Sequence, residues 1–175
     1  MNTANTDIAI ETNVAPEQSA SGIKSLLIKA LATDASTPSI FLRISLAVAM
    51  WPHGAQKLLG WYGGYGFEGT MGFFTQQMGI PTPFALGAIL VEFFAPILLV
   101  LGLGTRVAAL SLAVVMAVAM FMVQLPNGFF MNWFGNQAGE GIQFSLLFIG
   151  TAIALIIGGG GKFSADKAIA TSLQK

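Results

Sequence analysis

Four long apolar stretches leave few folds open to this chain. They cover roughly residues 40–59, 84–103, 107–125 and 141–158, and each is close to the ~20 residues with which an α-helix crosses a hydrocarbon core of ~30 Å. Charged residues make up 9% of the chain, against about 25% in soluble domains. The sequence therefore predicts an all-α, polytopic membrane protein in which four transmembrane helices form a bundle.

The predicted transmembrane domain covers residues 38–168 and lies between two tails. Residues 1–37 form a polar tail, and residues 169–175 form a short second one. Within the first tail, apolar residues such as Ile23 and Leu27 recur at helical spacing, which predicts an amphipathic helix over 22–33 on the membrane surface. A fraying helix in a disordered tail is the alternative.

Positive charge predicts the orientation, because Lys and Arg near helix ends are retained on the cytoplasmic side. The two long links, 60–83 and 126–140, contain no Lys or Arg. Both termini are therefore predicted to be cytoplasmic, and Lys57 is the single cation on the outer side. The cations at the predicted inner ends are Lys24, Lys29, Arg43, Arg106, Lys162, Lys167 and Lys175.

Four ionisable residues in or beside the predicted spans are candidates for function, namely His53, Lys57, Glu92 and Glu140, because an unpaired charge inside a span costs roughly 2.5 kcal/mol or more. At a rise of 1.5 Å per residue, His53 is about 9 Å and Glu92 about 12 Å below the outer ends of their helices. His53 and Lys57 are four residues apart and share a helix face. We therefore predict that His53, Lys57 and Glu92 are the catalytic groups of a polar pocket in the outer half of the bundle.

Two prolines open the helices beside these groups. Pro96 removes the hydrogen bond to the carbonyl of Glu92, and Pro52 has the same effect next to His53. The predicted binding residues of the pocket are Trp51, Gln56, Phe93, Gln124, Trp133, Glu140 and Gln143. The alternative is that Glu92 pairs with His53 or Lys57 as a buried tie between helices.

Several classes of function are excluded or disfavoured by composition. The net charge is zero, so no basic excess is available to bind nucleic acid. There is no Cys, and the single His excludes a bis-histidine haem within one chain. Residues 64–69 fit G-x-G-x-x-G but follow a predicted membrane helix rather than a strand. We predict no metal site and no intrinsic cofactor.

Short motifs follow one another along residues 40–168 in an order that is itself informative. The motifs are Arg43 with His53-Gly54 and Gln56-Lys57-Leu58, Gly79-Ile80-Pro81, Glu92 with Leu98 to Leu103 and Thr105-Arg106, Asn127 to Trp133, Gly139-Glu140-Gly141, and Gly160 with Lys162 to Asp166. In this order they resemble DoxX-like membrane proteins. The resemblance leaves the first tail outside.

The resemblance implies a four-helix protein of the bacterial inner membrane. Relatives are described as subunits of quinone-linked oxidoreductases or as parts of oxidative and thiol stress-response complexes, and many have no established activity. Close relatives often carry an acidic residue and then a His after Gly-Glu-Gly, where this chain has Gln143 and Ser145. At these two positions this chain therefore has neither the carboxylate nor the imidazole that could carry a proton or bind a metal.

These observations favour a quinone-interacting subunit of a membrane oxidoreductase. His53 would hydrogen-bond a quinone oxygen, Glu92 would exchange a proton, Lys57 would stabilise developing negative charge, and Glu140 would connect to outside water. A redox partner protein would have to supply flavin, haem or another electron carrier. The first alternative is a non-enzymatic scaffold or assembly factor in the lipid bilayer. Small-molecule transport is the third hypothesis, and it would require a homo-oligomer.

Overall fold

The computed structural model describes residues 16–33 and 37–174, with side chains from residue 22 onward. Residues 1–15 of the predicted tail, residues 34–36 and Lys175 lie outside the described residues. The described part of the chain is helical and contains no strand, which confirms the all-α class. Its α-helices are α1 (Pro16–Leu31), α2 (Pro38–Leu59), α3 (Gly66–Gly72), α4 (Thr82–Leu101), α5 (Thr105–Ala119), α6 (Gln143–Gly158) and α7 (Ala165–Leu173).

The predicted apolar stretches correspond to α2, α4, α5 and α6, with bounds shifted by about two residues. Helix α4 begins earlier than predicted because Pro83 fits its first turn. It ends at Leu101 because Gly102 and Gly104 adopt positive φ angles and form the tight turn to α5. Beyond Ala119, α5 continues as a π-helical turn and a 3₁₀ turn to Asn127.

Two helical segments of the described chain are long and apolar enough to cross a membrane by length and composition. They are Thr82–Leu101 and Thr105–Asn127. Helix α6 is equally apolar but shorter, at 16 residues. Helix α2 has 22 residues and carries Arg43, His53 and Lys57.

Helices α2, α4, α5 and α6 share one apolar core. Leu46, Leu99, Leu112, Phe148 and Leu155 are buried in it, and alanines on α5 and α6 allow these two backbones to approach each other. Helix α2 packs mainly against α4, and α5 packs mainly against α6. The core therefore holds the four helices predicted from hydropathy around a single centre.

The two ends of this helical unit differ in structure. One end holds the turn at 102–104 together with α1 and α7, and we call it the turn end. The other end holds the long connections 60–81 and 128–142, and we call it the loop end. Connection 60–81 contains α3 and a π-helical turn at Phe73–Gln77.

Both predicted tails contain a helix. The predicted amphipathic helix 22–33 overlaps α1, which begins earlier, at Pro16, and ends at Leu31. Most of the tail predicted at 169–175 belongs to α7, which packs against α1. The segment after α6 is therefore a structured part of the turn end.

Candidate functional site

A cavity of about 430 Å³ lies at the loop end between α2, α4, α5 and α6. Its polar wall is formed by His53, Lys57, Glu92, Gln124 and Glu140. Its other wall is apolar and is formed by Met50, Val115, Met116, Ala119, Met131, Gly141 and Phe144. The structure thus brings all three predicted catalytic residues to one cavity, together with two of the seven predicted binding residues.

Lys57 and Glu92 form an ion pair in this wall. The Lys57 ammonium Nζ donates a hydrogen bond to Glu92 Oε2, and it joins the end of α2 to the middle of α4. The Glu92 side chain is 7% exposed and that of Lys57 is 25% exposed. The carboxylate is therefore shielded from solvent and has its counter-charge in direct contact, while His53 is exposed at the same cavity.

The backbones of α2 and α4 approach each other closely at Gly54. A Cβ atom on Gly54 would collide with the main-chain carbonyl of Glu92 and with the Cα of Phe93. Pro96 has no N–H to donate to that carbonyl, so α2 meets α4 where the α4 backbone is locally open. The sequence prediction did not include Gly54, although a glycine inside a helix beside His53 was a usable signal.

Gln124 is held in place by a residue that the sequence prediction did not select. Ser145 Oγ donates a hydrogen bond to Gln124 Oε1 and lies 3.1 Å from Met116 Sδ. Ser145 is fully buried. The chain thus has at this position a short hydroxyl that positions a cavity amide.

Glu140 is positioned by the loop that precedes α6. Its Oε2 atom accepts a hydrogen bond of 2.7 Å from the backbone N–H of Asn132. Its main-chain carbonyl accepts another, of 3.2 Å, from Asn127 Nδ2. Glu140 is exposed, so it places a carboxylate between the cavity and the solvent-facing side of the loop end.

Five predicted binding residues do not line the cavity: Trp51, Gln56, Phe93, Trp133 and Gln143. Trp51 instead packs against Trp61 and Phe93, with ring centroids 5.9 Å and 6.1 Å apart. Gln56 donates a hydrogen bond of 3.4 Å to the carbonyl of Tyr62, and Trp133 is 79% exposed. Each residue advances about 100° around a helix. Phe93 is therefore about 100° from Glu92 and Trp51 about 200° from His53, so both aromatic side chains point away from the face that holds His53 and Glu92.

Arg43 is a buried tie at the turn end rather than the interfacial residue predicted. It is fully buried, and its guanidinium donates to the carbonyls of Leu99 and Phe163 at 3.1 Å and 2.6 Å. The contact with Leu99 adds to the hydrogen bond that this carbonyl at the end of α4 already accepts from the N–H of Gly102, and the contact with Phe163 joins α2 to the segment after α6. Arg106 similarly joins α5 to α6 through the carbonyl of Ile157 at 3.0 Å.

Asp166 complements Arg43 at the turn end. Its two carboxylate oxygens accept hydrogen bonds from the backbone N–H groups of Gly104 and Thr105 at 2.6 Å and 2.9 Å. The carboxylate therefore caps the N-terminus of α5, where negative charge is favoured. The sequence prediction did not select Asp166, although it ends the last motif and follows Ser164, which caps α7.

Within the described ranges, no group of three or more His, Asp or Glu side chains is placed to hold a metal ion. At the turn end, the buried charged side chains hydrogen-bond to backbone groups of helix ends and turns. The loop end has a cavity with a paired carboxylate, a histidine and an apolar wall, and it is therefore the candidate ligand site.

Comparison with known proteins identifies a family for about half of the chain. The DoxX family model matches residues 39–125, which include α2, α4 and α5. An uncharacterized protein of Haemophilus influenzae is 33% identical over 78 residues, covering 45% of this chain and 48% of the relative. The chain thus spans about half the length of the curated relative it matches. No solved structure matches the chain.

Proposed function

The chain belongs to the DoxX family, and from that premise we propose that it is a quinone-interacting subunit of an oxidoreductase in the bacterial inner membrane. The loop-end cavity binds the quinone head group, and a redox partner protein supplies the electrons. The observation that carries this proposal is the cavity itself, which His53 and the Lys57–Glu92 pair line together with apolar side chains.

The proposed membrane arrangement has four spanning helices, α2, α4, α5 and α6. Two long apolar segments and a common core support it. Described basic residues concentrate at the turn end, whereas the exposed carboxylates of Glu68 and Glu140 lie at the loop end. By the positive-inside tendency, the turn end and both termini face the cytoplasm.

The size and chemistry of the cavity suit a quinone ring. A volume of about 430 Å³ falls within the roughly 300–1,000 Å³ of small-molecule sites. A quinone has two carbonyl oxygens on an otherwise apolar ring, so it needs a few polar groups and a large apolar contact surface. The polar and apolar walls of the cavity provide both.

The proposed roles follow from the contacts of each side chain. His53, which is exposed at the cavity, donates a hydrogen bond to one quinone oxygen. Lys57 donates a hydrogen bond to Glu92 in the resting state and stabilises negative charge on the reduced ring. Reduction to the quinol takes two electrons from the partner and two protons, which Glu92 and Glu140 transfer from outside water.

A binding titration with matched variants tests the proposal. The probe is a benzoquinone with one isoprenoid unit, titrated calorimetrically into purified protein in nanodiscs, with a non-quinone isoprenoid as control. We expect saturable binding that His53→Ala and Glu92→Gln each weaken about tenfold, since ~1.4 kcal/mol from one lost hydrogen bond is a factor of ten. Gln56→Ala and Glu68→Gln, which lie outside the cavity lining, should bind as the parent does.

Absence of saturable binding, or equal loss in the control variants, would overturn the quinone proposal. A scaffold for a partner protein is then the second candidate, and the direct Lys57–Glu92 tie between α2 and α4 favours it. The double variant Lys57→Met/Glu92→Leu separates the two. A scaffold retains its co-purifying partner in this variant, whereas a quinone site loses affinity while the fold persists.

A further inference from the structure

Helix α1 presents an apolar stripe that no described part of the chain covers. Ile23, Leu26 and Leu27 are 57%, 67% and 48% exposed. Their spacing of three and four residues places them on one side of the helix. Ile28, which points away from the stripe, and Leu31, which lies on the stripe side four residues after Leu27, are partly buried, and α1 packs against α7. The stripe is thus exposed from Ile23 to Leu27 and becomes partly covered towards the end of α1.

Hydrogen bonds hold α1 beside the ends of the long helices, so its apolar stripe lies at that level. Thr33, just after α1, donates from Oγ1 to the carbonyl of Gly158 at 3.1 Å and accepts from the N–H of Gly161 at 2.5 Å. Asp166 fastens α7 to the turn between α4 and α5. Both short helices are therefore held beside the ends of α4, α5 and α6, which is the level of a membrane interface if those helices span.

The surface around the stripe is positively charged. Lys24, Lys29 and Lys162 are exposed and Lys167 is partly exposed. Among the side chains described at the turn end, Asp166 carries the one carboxylate. It is 3% exposed and already accepts two backbone hydrogen bonds. No described carboxylate of this end therefore faces these lysines.

An aromatic side chain extends the same surface. Phe163 is 59% exposed, and Lys162 Nζ lies 5.4 Å from the centre of its ring. Ile169 on α7 is also exposed, at 39%. Apolar side chains combined with lysines are typical of helices that lie in the headgroup region of a bilayer.

We propose that α1 and α7 form a platform that binds the anionic phospholipid headgroups of the cytoplasmic leaflet. The apolar stripe inserts beside the acyl chains, and the four lysines contact the phosphates. Each lysine near such a surface contributes about a fivefold gain in partitioning. The platform rests on the proposed membrane arrangement, and it adds a lipid preference that the quinone proposal does not include.

Spin labelling tests the platform, because the chain has no Cys and single labels can be placed without background. Nitroxides at Leu26→Cys and at Ser25→Cys, an exposed position on another side of α1, are compared in phosphatidylcholine vesicles with and without phosphatidylglycerol. We expect phosphatidylglycerol to shield the label at 26 from a water-soluble nickel complex and to leave it accessible to oxygen. The label at 25 should stay accessible to nickel.

Removal of charge gives the second arm. Replacing Lys24, Lys29, Lys162 and Lys167 by Gln should abolish the effect of phosphatidylglycerol on the label at 26. A label at 26 that is nickel-accessible with phosphatidylglycerol would overturn the platform. So would shielding that comes with dipolar broadening between labels, because a second copy would then cover the stripe.

A label on the exposed face of α5, at Val114→Cys, separates failure of the platform from failure of the membrane arrangement. Val114 is 54% exposed and lies in the middle of the 105–127 segment. Its label should be accessible to oxygen and shielded from nickel in every vesicle and in the charge-removed variant. Nickel access at 114 would contradict the spanning arrangement itself, and nickel access at 26 alone would contradict only the platform.

Discussion

Lys57 and Glu92 neutralise each other in the cavity wall, and each depends on the other because both are largely removed from water. Glu92→Leu leaves an ammonium without its counter-charge, and Lys57→Met leaves a carboxylate that is 7% exposed. We expect each single change to lower the free energy of unfolding by ~1–3 kcal/mol. The double variant should recover most of this loss, since apolar replacement of a buried pair is often neutral or stabilising.

The measurement is a double-mutant cycle from thermal unfolding in one detergent, followed by circular dichroism. Glu68→Leu serves as the control, because Glu68 is an exposed carboxylate away from the cavity. Losses that simply add in the double variant would show that the pair contributes no coupling, and the assignment of a tie between α2 and α4 would be wrong.

Gly54 sets how closely α2 approaches α4. In Gly54→Ala, the new methyl group would meet the carbonyl of Glu92, so the helices must separate. We expect a loss of ~1–3 kcal/mol, the usual effect of overpacking, in the same thermal assay. Gly87→Ala is the matched control, because a Cβ at Gly87 in α4 meets nothing within 4 Å. An equal effect of the two substitutions would contradict the close approach.

The sequence predicts how far along their helices His53 and Glu92 lie, but it does not predict which side of each helix faces the cavity. Counting residues placed His53 and Glu92 at similar heights, because helical rise is nearly constant. The side of each helix that faces its neighbour depends on packing. Trp51 and Phe93 were therefore predicted as pocket walls although they pack against each other elsewhere. Ser145 contacts Gln124 across 21 positions of sequence, and no local pattern indicates that contact.

The segment 160–173 contacts the turn between α4 and α5, and Asp166 hydrogen-bonds to the backbone of that turn. Asp166→Asn keeps the shape of the side chain, but an amide N–H₂ replaces one of the two accepting oxygens and therefore faces a backbone N–H donor. We expect a loss of ~1–3 kcal/mol in stability and faster proteolysis after Lys162 and Lys167. Limited trypsin digestion in detergent, read by mass spectrometry, measures this. Thr171→Ala, an exposed site on α7, should digest at the parent rate.

The long helices were predictable because apolar runs of membrane length are typical of transmembrane helices and rare elsewhere. Their ends moved by about two residues, since Pro83 starts α4 and Gly102 ends it. Helix α7 was not predicted: its residues 165–168 fall in the predicted transmembrane domain and 169–173 in the predicted tail, and its nine residues are too few to give a clear period. Its position depends on the contacts of Asp166 and on packing against α1, which are tertiary interactions.

The whole molecule has an asymmetric distribution of charge. At the turn end, Arg43 and Asp166 are buried and hydrogen-bond to backbone groups at helix ends, so among the described side chains the exposed lysines determine the sign of the surface. At the loop end, Lys57 is paired with Glu92, and the lone cation that the sequence placed on the outer side is thus neutralised locally.

Orientation is therefore the prediction that belongs to the complete chain. The absence of native Cys permits single-cysteine variants at Asn136, exposed at the loop end, and at Ser172, exposed at the turn end. In intact spheroplasts, a membrane-impermeant maleimide should label Asn136→Cys and leave Ser172→Cys unlabelled until lysis, because the basic surface is retained in the cytoplasm. A permeant maleimide should label both. Labelling of Ser172→Cys before lysis would reverse the orientation and place the cavity on the cytoplasmic side, where Glu140 could not draw protons from outside water.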